Sequence, residues 1–333
     1  MRRSRLLGVS VEAVRPDGGP PVTPEGVSMS VRTLTRPTAA LAATLVLVPL
    51  SGCGTGQAAP VSSPSSSPST GAEEAFTGLE EDYDARLGVY ALDTGTGQEV
   101  EYGADDRFAY ASTFKALAVG ALLDQHGAEV LDERMDLSEE DLLTHAPIAE
   151  EFLDQERTDM TLREASDAAV RYSDNTAANL VLERLGGPEG YQEALREIGD
   201  DTTSADRWEE ELNEAAPGDE RDTSTPRAMA ENLRTYVLEE EPLAEDEREF
   251  LTDLLVRNTT GDALIRAGVP EDWEVGDKTG GGGYATRNDI AVAWPPESDP
   301  VVIAVMSSRG EQDAEYDDAL VAEATETAVE ALD

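Results

Sequence analysis

The sequence predicts a mixed α/β fold of the α+β kind: an antiparallel sheet flanked by helices, with an all-helical lobe beside it. Three observations predict this. Strand-type segments gather at the two ends of the folded part, and helix-type segments fill the middle. The 333 residues, 39% of them apolar, are also enough for a sizeable buried core.

The first strand is Arg86 to Leu92. Asp93-Thr94-Gly95-Thr96-Gly97 reads as a turn, and Gln98 to Tyr102 returns as its hairpin partner. Ser112 to Gln125, rich in Ala and Leu, predicts a helix that opens on a capping-type residue. Another helix opens at Asp159 to Glu164, and two more span Asn175 to Leu185 and Pro188 to Ile198. After a polar loop, Pro226 to Leu238 and Glu245 to Val256 are helical. Strands return at Trp273 to Lys278, Ala285 to Ala293 and Val301 to Ser307, and Ala314 to Leu332 closes the chain as a helix. The sheet lobe is thus expected over about 76–111 and 268–333, and the helical lobe over about 112–267. A cleft between two lobes is the expected place for a site.

The N-terminal part reads as an export signal, residues 1–52. Residues 38–50 form a short apolar run after Arg32 and Arg36, too short for a membrane span. Met29 opens a signal of ordinary length, so 1–28 reads as an upstream mis-start. Leu50-Ser51-Gly52-Cys53 resembles the lipobox of bacterial lipoproteins, in which the Cys becomes the lipid-bearing N-terminus. Residues 53–75 are then a Ser- and Pro-rich tether. The expected location is the outer face of the cell membrane, held through Cys53, with a released form alongside.

Composition excludes several functions. With 25 basic and 70 acidic residues, the net charge is -45, which opposes nucleic acid and anionic lipid. Removing residues 1–52 takes away six Arg and three acids and leaves -48. One Cys and two His exclude a disulfide scaffold and a zinc site built from those residues. No metal, no cofactor and no second subunit are expected. Lysine is nearly absent: Lys115 and Lys278 are the two, and the other 23 basic residues are Arg. Arginine cannot give up its proton, whereas a desolvated lysine can. The two lysines therefore mark places where ammonium chemistry is required.

Both lie in motifs. Ser112-Thr113-Phe114-Lys115 places a hydroxyl and an amine three residues apart, on one face of a helix, where they can meet. Tyr172-Ser173-Asp174-Asn175 precedes a helix, so capping alone would explain its Ser and Asp. Lys278-Thr279-Gly280-Gly281 ends a strand and sets a cation beside an edge along which a substrate can lie.

These three motifs, in this order, resemble the signature shared by class A β-lactamases and penicillin-binding proteins. Residues 206–226 resemble the Ω-loop of class A β-lactamases, with Glu209, Leu212 and Asn213 in its Glu-x-x-Leu-Asn. The resemblance runs from about Thr77 to the C-terminus. It implies a transpeptidase-like fold and hydrolysis of β-lactam antibiotics. It implies that Ser112 is acylated, with Lys115 or Glu209 taking its proton. It places the backbone N–H groups of Ser112 and Gly281 around the oxyanion. Ser173, beside Lys278, would relay a proton to the ring nitrogen, and Asn175 would bind the acylamide side chain. Lys278, Thr279, Gly280 and Arg287 would hold the substrate carboxylate. Glu209 and Asn213 would position the deacylating water, and Arg207 would pair with Asp222 to close the loop. His145 lies where the family often has an aromatic at the cleft mouth. Ala111 and Gly282 cannot form the disulfide of some carbapenem-hydrolysing members. The rival readings are a D,D-peptidase and a covalent β-lactam sensor. The first normally lacks the Glu209 loop, and the second ends a membrane receptor. A non-catalytic lipoprotein would have lost a motif residue, and none is lost.

Overall fold

The structure is a computed structural model that describes residues 70–332. The signal region, the lipobox with Cys53 and the tether up to residue 69 lie outside the described residues. Helix α1 (Thr70–Tyr83) starts six residues before the expected start of the domain, and its Ala72 and Phe76 are buried. The Ser/Pro composition of residues 58–73 hid that first turn.

Five antiparallel strands form the main sheet: β1 (Arg86–Asp93), β2 (Glu99–Tyr102), β7 (Glu274–Gly281), β8 (Arg287–Trp294) and β9 (Val301–Ser308). Their order is β2-β1-β9-β8-β7, so the N-terminal hairpin and the C-terminal strands share one sheet as expected. Side chains alternate between faces. Val301, Ile303 and Val305 enter one core with α1 and α10 (Asp318–Leu332), while Val302, Ala304 and Met306 enter another on the opposite face. The last helix begins at Asp318, four residues later than expected.

The helical part surrounds α2 (Phe114–His126), whose residues Phe114 to Leu123 are all buried. A helix apolar on every side belongs in the centre of a bundle. Around it stand α4 (Leu162–Arg171), α5 (Asn175–Leu185), α6 (Gly187–Glu197), α7 (Pro226–Leu238) and α8 (Glu245–Val256). The boundaries at 112 and 267 do not divide the core. Leu117 and Leu122 of α2 share one apolar cluster with Ile290, Val292 and Met306 of the sheet, and α7 packs on β1, β8 and β9.

Short elements escape periodicity. Strands β3 (Phe108–Ala109), β4 (Arg134–Asp136), β5 (Asp159–Thr161) and β6 (Thr223–Ser224), with helices α3 (Pro147–Asp154) and α9 (Ile265–Gly268), span too few residues for a pattern. The segment Asp159–Glu164, expected to open a helix, starts as β5. Thr161 then caps α4, accepting from Glu164 N while the Glu164 carboxylate reaches back to Thr161 N. Among the described residues, no helix is long and apolar enough to cross a membrane.

Candidate active site

The site forms where α2, the loop before α5, strand β7 and the loop 206–222 meet. Ser112 lies in the 3-10 turn Ala111–Thr113, ahead of α2. Its expected capping role is not realised, because that turn has no side-chain cap. The turn sits against β7, and Gly280 permits this contact. A Cβ on Gly280 would stand 2.9 Å from Tyr110 O and 3.3 Å from the Ala111 Cβ. Asn288 of β8 ties the same turn to the sheet, donating to Ala109 O at 2.8 Å and Tyr110 O at 3.2 Å. Ala111 (φ 47°) and Ser173 (φ 57°) both occupy the left-handed region. Each such non-glycine residue costs on the order of 1–3 kcal/mol and persists only where its surroundings hold it.

The three motifs and the loop converge. Lys115 Nζ lies 3.0 Å from Glu209 Oε1, 2.6 Å from Asn175 Oδ1 and 2.8 Å from Ser173 O. Ser112 Oγ donates to the same Glu209 Oε1 at 3.4 Å. The direct meeting of Ser112 and Lys115 expected from their spacing is therefore replaced by a shared oxygen of Glu209. Among the described residues, Ser112 Oγ makes no hydrogen bond to Lys115. The amide of Asn213 donates to Glu209 Oε2 at 2.6 Å, and its own Oδ1 has no partner among the described residues. Lys278 Nζ donates to Ser173 Oγ at 3.1 Å and to Thr279 O at 2.8 Å. Thr279 Oγ1 lies 2.7 Å from Thr260 Oγ1.

Burial sets the electrostatics. Desolvation lowers the Lys115 pKa, and the Glu209 carboxylate opposes that shift. Lys278 is lowered to about 7, first by burial and then by repulsion from Lys115. Beneath it, burial raises the Asp277 carboxyl, which Arg266 and Asn258 hold at 2.5 Å and 2.6 Å.

Arg207 and Asp222 meet across the ends of the loop. Arg207 Nε meets Asp222 Oδ2 at 2.5 Å, and Asp222 Oδ1 accepts from Arg207 N at 3.0 Å and the Tyr110 hydroxyl at 3.2 Å. Asn179, missed from sequence, and Asp174, read there as a helix cap, also hold the site. Asn179 clamps the backbone of Glu209, donating to its O at 2.9 Å and accepting from its N at 3.0 Å. It stands one helical turn beyond Asn175, which was a usable signal. Asp174 caps α5 and also accepts from Ile148 N and Ala149 N at 2.9 Å. Arg287 is near Gly281 but not free: its Nε donates to Asp318 Oδ1 at 2.6 Å and its guanidinium lies over Tyr316. His145, exposed, lines a mouth cavity of about 400 Å³ with Asn175 and Asn213.

Comparison with known proteins agrees with this geometry. Residues 71–332 match the model of the beta-lactamase enzyme family. A beta-lactamase of Amycolatopsis lactamdurans is 57% identical over 265 residues, covering 80% of this chain and 86% of that protein. One from Bacillus licheniformis is 52% identical over 285 residues, covering 86% and 92%. The crystal structure of a halotolerant bacterial beta-lactamase is 58% identical with a TM-score of 0.74, covering 77% of this chain and 98% of that one. A class A beta-lactamase from Clostridium kluyveri is 49% identical with a TM-score of 0.75, covering 78% and 98%.

Proposed function

We infer the mechanism of this chain from a plain premise: it belongs to the beta-lactamase enzyme family and hydrolyses the β-lactam amide bond, the chemistry of resistance to these antibiotics. We assign it to class A, with Ser112 as the nucleophile. The observation that carries this reading is Glu209 Oε1, which lies against both Ser112 Oγ and Lys115 Nζ.

In the first half-reaction Ser112 Oγ bonds to the lactam carbonyl carbon. Its proton passes to Glu209, directly or through one water, while Lys115 stabilises the carboxylate. The N–H groups of Ser112 and Gly281 receive the developing oxyanion. The carbon–nitrogen bond then breaks, Ser173, backed by Lys278, gives its proton to the ring nitrogen, and the proton held by Glu209 replaces it through Lys115, whose Nζ lies 3.0 Å from Glu209 Oε1 and 3.5 Å from Ser173 Oγ. In the second half-reaction a water held by Glu209 and Asn213 attacks the ester carbonyl, the Glu209 carboxylate takes its proton, and that proton passes to Ser112 Oγ as the ester carbon–oxygen bond breaks. Asn213 Oδ1, without a partner among the described residues, suits that water. Lys278, Thr279 and the partly neutralised Arg287 bind the substrate carboxylate.

The test is Glu209→Gln in the full chain, mixed with a chromogenic cephalosporin. Turnover is expected to fall roughly 10³-fold, within the range for a lost proton carrier, and a stable adduct on Ser112 to appear by mass spectrometry. Unchanged turnover would overturn the role of Glu209. A stable adduct on the unsubstituted enzyme would favour a peptidase or sensor instead.

We also propose export and lipid attachment at Cys53, supported by the Leu50-Ser51-Gly52-Cys53 sequence, and a monomeric enzyme. A lipid-bearing N-terminal peptide at Cys53, and light scattering at one chain mass, are the expected results. The net charge of -45, with the likeness to an enzyme described as halotolerant, supports salt tolerance. Equal thermal stability with and without molar salt would count against it.

A further inference from the structure

A cavity of about 640 Å³ lies away from the reaction, lined by none of the catalytic side chains. Residues 215–219 and Arg221, in the second half of the Ω-loop, form one wall, and the end of α1 with the start of β1 forms another. Four arginines reach it: Arg86, Arg107, Arg221 and Arg309. That runs against a composition of 25 basic to 70 acidic residues.

The partners of these arginines divide them. Arg86 is paired with Asp106 at 3.0 Å and Arg221 with Asp219 at 2.5 Å. Arg107 and Arg309 have no carboxylate within ion-pair distance among the described residues. Arg107 donates to Thr202 O at 2.6 Å and Thr223 Oγ1 at 2.9 Å, and Arg309 donates to Glu315 O at 2.6 Å. Neutral acceptors fix these guanidinium groups without cancelling their charge. Four arginines face three acids on the walls: Asp219 is paired with Arg221, and Glu80, held by Leu87 N at 2.8 Å and the Tyr102 hydroxyl at 2.7 Å, keeps its charge. Asp84 is the third.

We propose that this cavity is a second binding site, for a small polyvalent oxyanion such as phosphate or an organic polycarboxylate. Arg107 and Arg309 supply the charge and the forked donors that such anions fit. Because one wall belongs to the loop that carries Glu209 and Asn213, an occupied site holds that loop against the body of the domain. Trp208, 40% exposed and next to Glu209, reports on it.

The test is calorimetric titration of the full chain with inorganic phosphate and, separately, with citrate, at constant ionic strength. Saturable binding of either anion is expected, with a change in tryptophan fluorescence. Arg107→Gln/Arg309→Gln should weaken it at least about tenfold and leave anion-free β-lactam turnover within about twofold. If that double variant fails to fold, Arg309→Gln alone carries the test. Lys278→Ala should retain the binding, since Lys278 is not in this cavity. Phosphate alone binding would indicate phosphorylated ligands, and citrate alone would indicate organic acids. Absence of saturable binding, binding unchanged in the folded arginine variants, or binding lost in Lys278→Ala would each overturn the proposal.

Discussion

Lys115 on the helical wall of the cleft and Lys278 on the sheet wall are buried to nearly the same degree, at 1% and 0% exposure. Their surroundings differ. Lys115 meets the Glu209 carboxylate at 3.0 Å, whereas Lys278 rests on the Ser173 hydroxyl and the Thr279 carbonyl, with no ion pair among the described residues. A buried charge without a counter-charge is held at high cost, and its pKa moves toward the neutral form. That cost is relieved when an anion arrives. On the mechanism we propose, the paired lysine serves proton transfer on its own wall, and the unpaired one is a seat for the substrate carboxylate. A molecule with a net charge of -45 needs such a seat built inside it, since its surface repels the same anion.

The strongest way to break this comparison is Lys115→Met, which leaves Glu209 buried without its cation. We expect acylation, measured by stopped-flow with a chromogenic cephalosporin, to fall roughly 10³-fold. A loss confined to KM would make the two lysines equivalent. Lys278→Ala is expected to lower kcat/KM by about 10²-fold, mainly through KM, by removing the carboxylate's partner. Equal losses for a substrate and for its carboxylate-esterified analogue would refute the seat.

The pH profile sharpens the contrast. Lys278 titrates at about 7 in the free enzyme, so its charge is present below that pH and lost above it. The kcat/KM profile, which reports the free enzyme, should fall above about pH 7 by about tenfold per unit, until it levels at the Lys278→Ala value. Lys278→Arg, always charged, should lack that limb. The smallest effect is salt. Screening the acidic surface should raise kcat/KM severalfold at low substrate, and a flat or falling response would exclude electrostatic repulsion as a barrier.

The sequence by itself proposed the chemistry's cast. Two lysines among 25 basic residues, each in a motif, pointed to Ser112 with Lys115 and to Lys278, and the resemblance to class A β-lactamases added Ser173 and, through residues 206–226, Glu209. It also determined the sheet, because strand alternation and turn glycines are local signals. Only the tertiary structure decided who touches whom. Ser112 and Glu209 are 97 positions apart, and Ser173 and Lys278 are 105. Spacing within one helix suggested a Ser112–Lys115 contact, but the turn that holds Ser112 departs from that helix at a left-handed Ala111 and aims the hydroxyl at Glu209. The clamp of Asn179, the tie of Asn288 and the cluster of Arg107 with Arg309 are likewise contacts between segments distant in the chain. Periodicity records which side of an element is buried, and only packing fixes what the buried side meets.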